Sequence, residues 1–402
     1  MKHTKIEWKD LSATAEVSVF ETANGVSEYH AMISLNNPQD DAETQYRNIE
    51  TAIDRLQLGR HCECNEAIQT DRDSAGLLHS VRNDGCATLV LKRYFVSDAI
   101  NHAVLLKKDE NVAISIVQQP PLNGTKVAVW AYWVENCTVK SNGEDAVIME
   151  RPNYKHLYNM QLHSHGEDEY IQTLEIFKNY TQELENQHCS LKANTIRTWI
   201  YVQGVDTHYA DMVKARRRYF KQMELTEDTH YIASTGIEGR YLHPETTVLM
   251  DAYSIVHIQE EQITYLKGAT HLNPTHEYGV TFERATAVDY GDRRHIFVSG
   301  TASIDNQGNI VHPLQIDLQT KRTLENISVL LAEADAEMDD MAQLIVYLRD
   351  TADYERVATY LQQEYPQIPK VIVWAPVCRP GWLVEMECIA VKEIQNERFN
   401  TF

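Results

Sequence analysis

One structural phrase recurs three times along the 402 residues, and a repeat settles architecture before any local motif does. The phrase is a helix, a β-rich strand closed by an acid, a second helix and two closing strands. The first copy has Asn48, Ile49 and Glu50 in its helix, then LVLKRYFVSD at 89–98, AISIVQQPPLNG at 113–124 and VAVWAYWV at 127–134. The second reads TIRTWIYVQGVD at 195–206, HYIASTGIEGR at 230–240 and VLMDAYSI at 248–255. The third reads NISVLLAEA at 326–334, LIVYLRDTAD at 344–353, KVIVWAPVCRPG at 370–381 and LVEMECIAV at 383–391. β-Branched and aromatic residues crowd the strands. The helices show apolar spacing of three and four, as in Leu324, Ile327, Leu330 and Leu331. Each copy therefore predicts an antiparallel sheet with two helices on one face, an α+β layer. The polar run 140–152 and the segment 258–274 serve as joints, giving units at 1–145, 146–265 and 266–402. The third unit has the fullest front end, with strands at 282–290 and 295–304. A ring of like units forms its clefts where units meet.

Bulk properties narrow the function. The formal charge of −21 disfavours nucleic acid and anionic membrane as partners, because phosphate contact needs a basic footprint. A small anionic ligand remains open, since a few arginines reverse the field inside a cleft. Seven cysteines, Cys62, Cys64, Cys86, Cys137, Cys189, Cys378 and Cys388, point to reduced thiols and a cytoplasmic protein. The opening MKHTKIEWKDL lacks the apolar core of a signal peptide. No apolar run approaches a membrane span.

The closing strands differ in the residues that matter for chemistry. Aligned without a gap, they put Ala128, Leu249 and Glu385 at one position and Trp130, Asp251 and Glu387 at another. Glu385 and Glu387 alternate with Val384, Met386 and Cys388, so both acids face one side. An acid inside an apolar strand is costly unless paired. It is either a buried acid held by a backbone turn or an arginine, or a carboxyl whose raised pKa lets it handle protons near neutral pH. Guanidinium groups suited to a carboxylate substrate are Arg379, Arg284 and Arg240, the last in the unit-two counterpart of the Cys378 loop. Cys378 reads as an inert thiol, because no histidine lies nearby in sequence to activate it. His163 and His165 with Glu167 and Asp168 fit no standard zinc spacing, and Cys62 and Cys64 lack a second ligand pair. Arg216, Arg217 and Arg218 read as the end of a helix, where cations favour the dipole.

The third unit resembles the RidA/YjgF superfamily. The matching residues are Glu277-Tyr278-Gly279, VSGTASID with Gly308, Gln319, Asn326-Ile327, LIVYLRD, Ile368-Pro369-Lys370 and VEMECIAV. The spelling of Phe282-Glu283-Arg284-Ala285, Ser299 to Ser303, His312-Pro313 and Thr323 to Asn326 is most similar to the chorismatase branch. The resemblance implies a covalent pseudo-trimer, monomeric, with a cleft between units. It implies a catalytic glutamate at Glu385, with Glu387 as the fallback, a cleft tyrosine at Tyr278, and a strand at Gly300 and Thr301 on which the ligand lies. Lys370 stands where the small deaminases carry an arginine that clamps the substrate carboxylate. The implied function is cofactor-free and metal-free hydrolysis of chorismate or a similar enolpyruvyl compound, releasing pyruvate. Imine or enamine deamination and metabolite binding without turnover stand as the alternatives. The expected partner is a small anionic metabolite.

Overall fold

The computed structural model describes residues 1–22, 25–61 and 87–402. Cys62, Cys64 and Cys86 lie outside them. The described residues form three six-stranded sheets. The first contains β1 (Lys2–Trp8), β2 (Ala13–Phe20), β3 (Glu28–Leu35), β4 (Ala87–Val96), β5 (Ala113–Gln118) and β6 (Val127–Glu135), in the order β1-β2-β3-β6-β4-β5. The second contains β7 (Thr138–Ser141), β8 (Ala146–Glu150), β9 (Lys155–Leu162), β10 (Thr195–Val202), β11 (Ala233–Glu238) and β12 (Val248–Val256). The third contains β13 (Ile263–Leu266), β14 (Ala285–Asp289), β15 (Arg293–Ala302), β16 (Met341–Leu348), β17 (Lys370–Trp374) and β18 (Val384–Glu393). All three share one order: a front meander, then the closing strand, then the first repeat strand, then the edge. The helices are α1 (Ala42–His61), α2 (Ala99–His102), α3 (Glu169–Asn186), α4 (Leu191–Asn194), α5 (Val205–Gln222), α6 (Ile316–Glu333) and α7 (Tyr354–Glu364).

The fold is α+β in three repeated units, with corrections of detail. The sheets are mixed. β4 pairs parallel with β5, β10 with β11 and β16 with β17. The helix between those strands returns the chain to the start of the sheet, so the next strand runs the same way. The full front meander is present in every unit, and the segment expected as the second joint holds β13. The second helix of unit one is short, one turn of α2 followed by a 3₁₀ turn at Ala103–Leu105.

Strand alternation tells each closing strand which face is which. In β6, Val127, Val129, Ala131 and Trp133 pack under unit one's own helices, while Ala128, Trp130, Tyr132 and Val134 face the other two sheets. In β12, Val248, Met250 and Ala252 face helices, and Leu249, Tyr253 and Ile255 face the shared centre. The ladders pair Val96 with Val127, Val202 with Val248 and Leu348 with Val384. That register makes Ala128, Leu249 and Glu385 structural equivalents, and likewise Trp130, Asp251 and Glu387.

The shared centre holds charge. Arg93, Arg197, Asp251 and Glu387 are all at most 1% exposed. Arg93 of unit one meets Asp251 of unit two at 3.1 Å, and Arg197 of unit two meets Glu387 of unit three at 2.8 Å. Trp199 Nε1 donates to Glu387 at 2.7 Å, and Arg93 lies over the Trp199 ring at 4.3 Å. Two cations offset two anions, which buried charge requires. A second cross-unit pair joins Glu28 of unit one to Arg293 and to His295 Nε2 (2.8 Å) of unit three. Burial would raise the Glu28 carboxyl, but His295 and Arg293 hold it far below the usual range. Replacing Arg197 with Met strands the Glu387 charge. Urea denaturation is expected to show a loss of about 3–5 kcal/mol, with part of it recovered when Glu387 is also made Met.

Candidate active site at the seam of units two and three

A cleft of about 480 Å³ opens where β11 and α5 of unit two face β15, β18 and the segment 280–284 of unit three. Glu385 lies in its wall, 5% exposed. The strand places it there because residues of odd number in β18 face the shared centre. Its carboxyl makes no hydrogen bond with any described residue, so nothing but the cleft receives its proton. Burial, and next the charge of Glu387, push its pKa up to about 8, against the pull of Arg197 and Arg284. That direction favours the protonated form of Glu385 at pH 7.

A β-bulge makes room for it. The β15–β18 register shifts between Val298 and Thr301, and Gly300 sits in that shift. A Cβ at Gly300 would stand 2.2 Å from Glu385 Oε1. Unit two fastens the bulge. Thr235 Oγ1 accepts from Gly300 N at 2.9 Å and donates to Glu387 Oε2. Ser299 Oγ accepts from Ser234 N at 2.9 Å and from Arg197 at 3.3 Å. The buried ion pair thus holds the backbone against which the acid rests.

Three guanidinium groups line the same cleft: Arg216, Arg284 and Arg379. Arg284 is anchored by the Asn273 carbonyl at 2.9 Å and carries Phe282 beneath it at 5.5 Å. Arg379 lies over the Trp382 ring at 5.2 Å. Arg216 donates Nε to Thr281 Oγ1 at 3.1 Å and is 1% exposed. Cys378 is a free thiol in the wall, in the same lining as Tyr209, and burial followed by Glu385 pushes its pKa up to about 12. It stays protonated and is no nucleophile at neutral pH.

Of the residues singled out from sequence, the cleft gathers Glu385, Arg284, Arg379, Cys378 and Gly300. Glu387 lies on the same strand face but is enclosed by Arg197, Trp199 and Thr235. Thr301 is buried and donates to Ser299 O at 2.9 Å, away from the cleft lining. Tyr278 ends the 3₁₀ turn Thr275–Tyr278, and its side chain falls outside the described residues. Arg240 is exposed at the seam with unit one, where its carbonyl accepts from Gln118 N at 2.9 Å. Lys370 lines a different cleft, between units three and one, beside Ser34 and Ala128. Its Nζ donates to the Ile368 carbonyl at 3.0 Å and stands 3.7 Å from Glu16. Sequence reading missed Tyr209 and took Arg216 for a helix end. The helix continues to Gln222, and Arg216 shares its buried face with Met212, Val213, Tyr219 and Phe220. The spacing of three and four to those apolar residues was the available signal, while Arg217 and Arg218 are exposed. His163 Nδ1 lies 2.8 Å from the Gln161 carbonyl. Among the described residues no group of three or more His, Cys, Asp or Glu is arranged to hold a metal.

Residues 283–392 match the family described as Endoribonuclease L-PSP. A RutC family protein of Pyrococcus abyssi is 35% identical over 100 residues, covering 24% of this chain and 79% of that one. The 3-aminoacrylate deaminase RutC of Acinetobacter baylyi is 29% identical over 99 residues, covering 24% of this chain and 77% of that one. The chain belongs to the RidA/YjgF superfamily. A crystal structure of a chorismatase superposes with a TM-score of 0.60 at 17% identity, covering 75% of this chain and 93% of that one. The three-unit fold is shared with it.

Two outcomes test this geometry. An acid with a raised pKa costs stability as pH rises from its unfolded value of 4.5 to about 8, because only the folded state still holds the proton. At about 1.4 kcal/mol per pH unit, Glu385→Gln is expected to gain on the wild type by roughly 3–5 kcal/mol between pH 5 and pH 8 in urea denaturation. Gly300→Ala places a methyl against the carboxyl and is expected to cost about 1–3 kcal/mol while moving the Glu385 titration, read by carboxyl ¹³C NMR, away from its wild-type midpoint.

Proposed function

We propose that the chain hydrolyses chorismate, or a closely similar small enolpyruvyl carboxylate, to pyruvate and the ring alcohol. The observation that supports this reading most is a neutral buried carboxylic acid facing three arginines in one cleft. In such a reaction the barrier is proton transfer to carbon, which general acid catalysis lowers. The Glu385 carboxyl donates its proton to the terminal methylene of the enol ether. Water adds to the resulting oxocarbenium carbon and gives up a proton, which returns the carboxylate to its acid form. The hemiketal then collapses to pyruvate and the alcohol. Arg284, Arg379 and Arg216 supply charge-assisted hydrogen bonds to the substrate carboxylates. They also favour the anion over the uncharged analogue. The aromatic groups Phe282, Trp382 and Tyr209 give the carbon ring an apolar wall.

The second reading is hydrolysis of an imine or enamine, for which the 3-aminoacrylate deaminase RutC is the relevant relative. Here Glu385 would position the attacking water. Lys370, the residue in place of the deaminase arginine, lies in another cleft, so the carboxylate clamp would fall to Arg284 or Arg379.

Chorismate is incubated with the protein and pyruvate is measured by a coupled assay. Release is expected from the wild type and to fall by about 10²–10⁴-fold in Glu385→Gln. The acid must be protonated, so kcat/KM is expected to fall as pH rises through about 8. Equal pyruvate release by the wild type and the glutamine variant rejects the reading. Ammonia release from an enamine made in situ, without pyruvate from chorismate, favours the second.

A further inference from the structure

The edge strands β11, β5 and β17 each present the same position to a seam. Their ladders pair Gly236 with Ile200, Ile116 with Tyr94 and Ile372 with Val346. Those partners in turn face Met250, Val129 and Met386 of the closing strands. Gly236, Ile116 and Ile372 are therefore equivalents, and each lines the cleft at its own seam. Of the three, the glycine stands at the seam that holds Glu385. The opposite wall repeats the contrast. The ladders pair Leu162 with Met250 and Thr301 with Met386, so Gln161, at the seam of units one and two, is the equivalent of Gly300.

Each glycine of the reactive seam seats one functional side chain. A Cβ at Gly300 would strike the Glu385 carboxyl, and a Cβ at Gly236 would stand 2.9 Å from Tyr209 Cε2 and 3.3 Å from the phenol oxygen. Isoleucine, the residue of the other two seams, would drive that ring away. Tyr209 lies one turn into α5 and lines the cleft together with Glu385. The start of α5 is fixed from both sides of the seam. Glu238 of β11 accepts from Gly204 N at 3.1 Å and from Val205 N at 2.8 Å. Arg349 of unit three donates to both oxygens of Asp206, at 2.8 and 2.9 Å. At the same step from its own start α7 has Ala358, in the cleft where Ala128 takes the place of the acid. Burial, and next the Cys378 thiol, hold the Tyr209 phenol well above the usual tyrosine range, so it keeps its proton.

We propose that Tyr209 is a second catalytic residue, the proton shuttle that lets the hemiketal collapse. This role rests on the hydrolytic reading of the cleft. Once water has added, Glu385 is again an acid, and the hemiketal has still to move a proton from its hydroxyl to its ring oxygen. A ring alkoxide is a stronger base than a phenolate, so departure without that proton is slow. The Tyr209 oxygen takes the hydroxyl proton as Tyr209 gives its own proton to the ring oxygen. The bond from carbon to the ring oxygen breaks, the carbonyl of pyruvate forms, and the phenol is regenerated.

The test follows chorismate turnover in D₂O. In the wild type collapse outruns reversal, so pyruvate carries deuterium in its methyl group and recovered chorismate carries none. Tyr209→Phe keeps the ring and removes the shuttle. It is expected to lower kcat about 10²-fold with KM little changed, and to return chorismate labelled at its methylene. A stalled hemiketal expels its water with the Glu385 proton, and the carboxylate then takes a methyl hydrogen. A tyrosine that only packed the wall would impair the first protonation instead, and recovered chorismate would stay unlabelled. Gly236→Ala pushes the phenol with one methyl. It is expected to give the same label at a smaller loss of kcat, and it carries the test if Tyr209→Phe does not fold. Turnover by Tyr209→Phe within about two-fold of the wild type, or a slowed variant that returns unlabelled chorismate, overturns the role and leaves the hydrolytic reading standing. No pyruvate from the wild type overturns both.

Discussion

Four charges that never meet water hold the three sheets together. Arg93, Arg197, Asp251 and Glu387 come from all three units, and each ion pair crosses a seam. Asp251 needs a cation from unit one, and Glu387 needs one from unit two. Removing one partner leaves a buried ion, and the penalty falls on the assembly rather than on one sheet. The same cluster reaches the chemistry. Thr235 bonds Glu387 on one side and the Gly300 amide on the other. The Glu387 charge is also the second cause, after burial, of the raised pKa at Glu385. Structural pairing and acid strength are therefore one device.

The three seams show what divergence among like units can do. One keeps an acid, a glycine beneath it and arginines opposite. One replaces the glycine by Gln161 and the acid by Leu249, and keeps an open cleft. One has Ala128 at the acid position and a lysine whose amine is held by backbone carbonyls. A methyl at Gly300 or a leucine at 385 would each remove the reactive arrangement. Proton chemistry at a seam thus depends on few atoms, whereas the fold tolerates all three versions.

Much of the site was readable along the chain. Glu385 stood out because an acid in the sequence Val384 to Ile389 has no solvent to face. Gly300 was marked, with Thr301, as part of the small-residue strand that the resemblance places under the ligand. Arg216 was hidden in a basic run whose members look alike until the helix phase separates the inward arginine from its exposed neighbours. Arg240 sat in a loop that matched by repeat position, and Lys370 stood at the head of a strand where the resemblance placed a carboxylate clamp. The repeat places equivalent loops at different seams, and sequence does not say which seam holds the acid.

The sequence alone determined the three-fold repetition, the α+β layers and the acid in the last closing strand, because these follow from periodicity and from the cost of charge among apolar neighbours. The tertiary structure decided the parallel edge strands, the partners of the buried charges and which cleft each arginine enters. The parallel ladders join strands separated by a helix, and the buried charges pair residues more than a hundred positions apart, as does the bond of Thr235 to Glu387 at a separation of 152. Neither strand alternation nor helical phase extends that far along the chain.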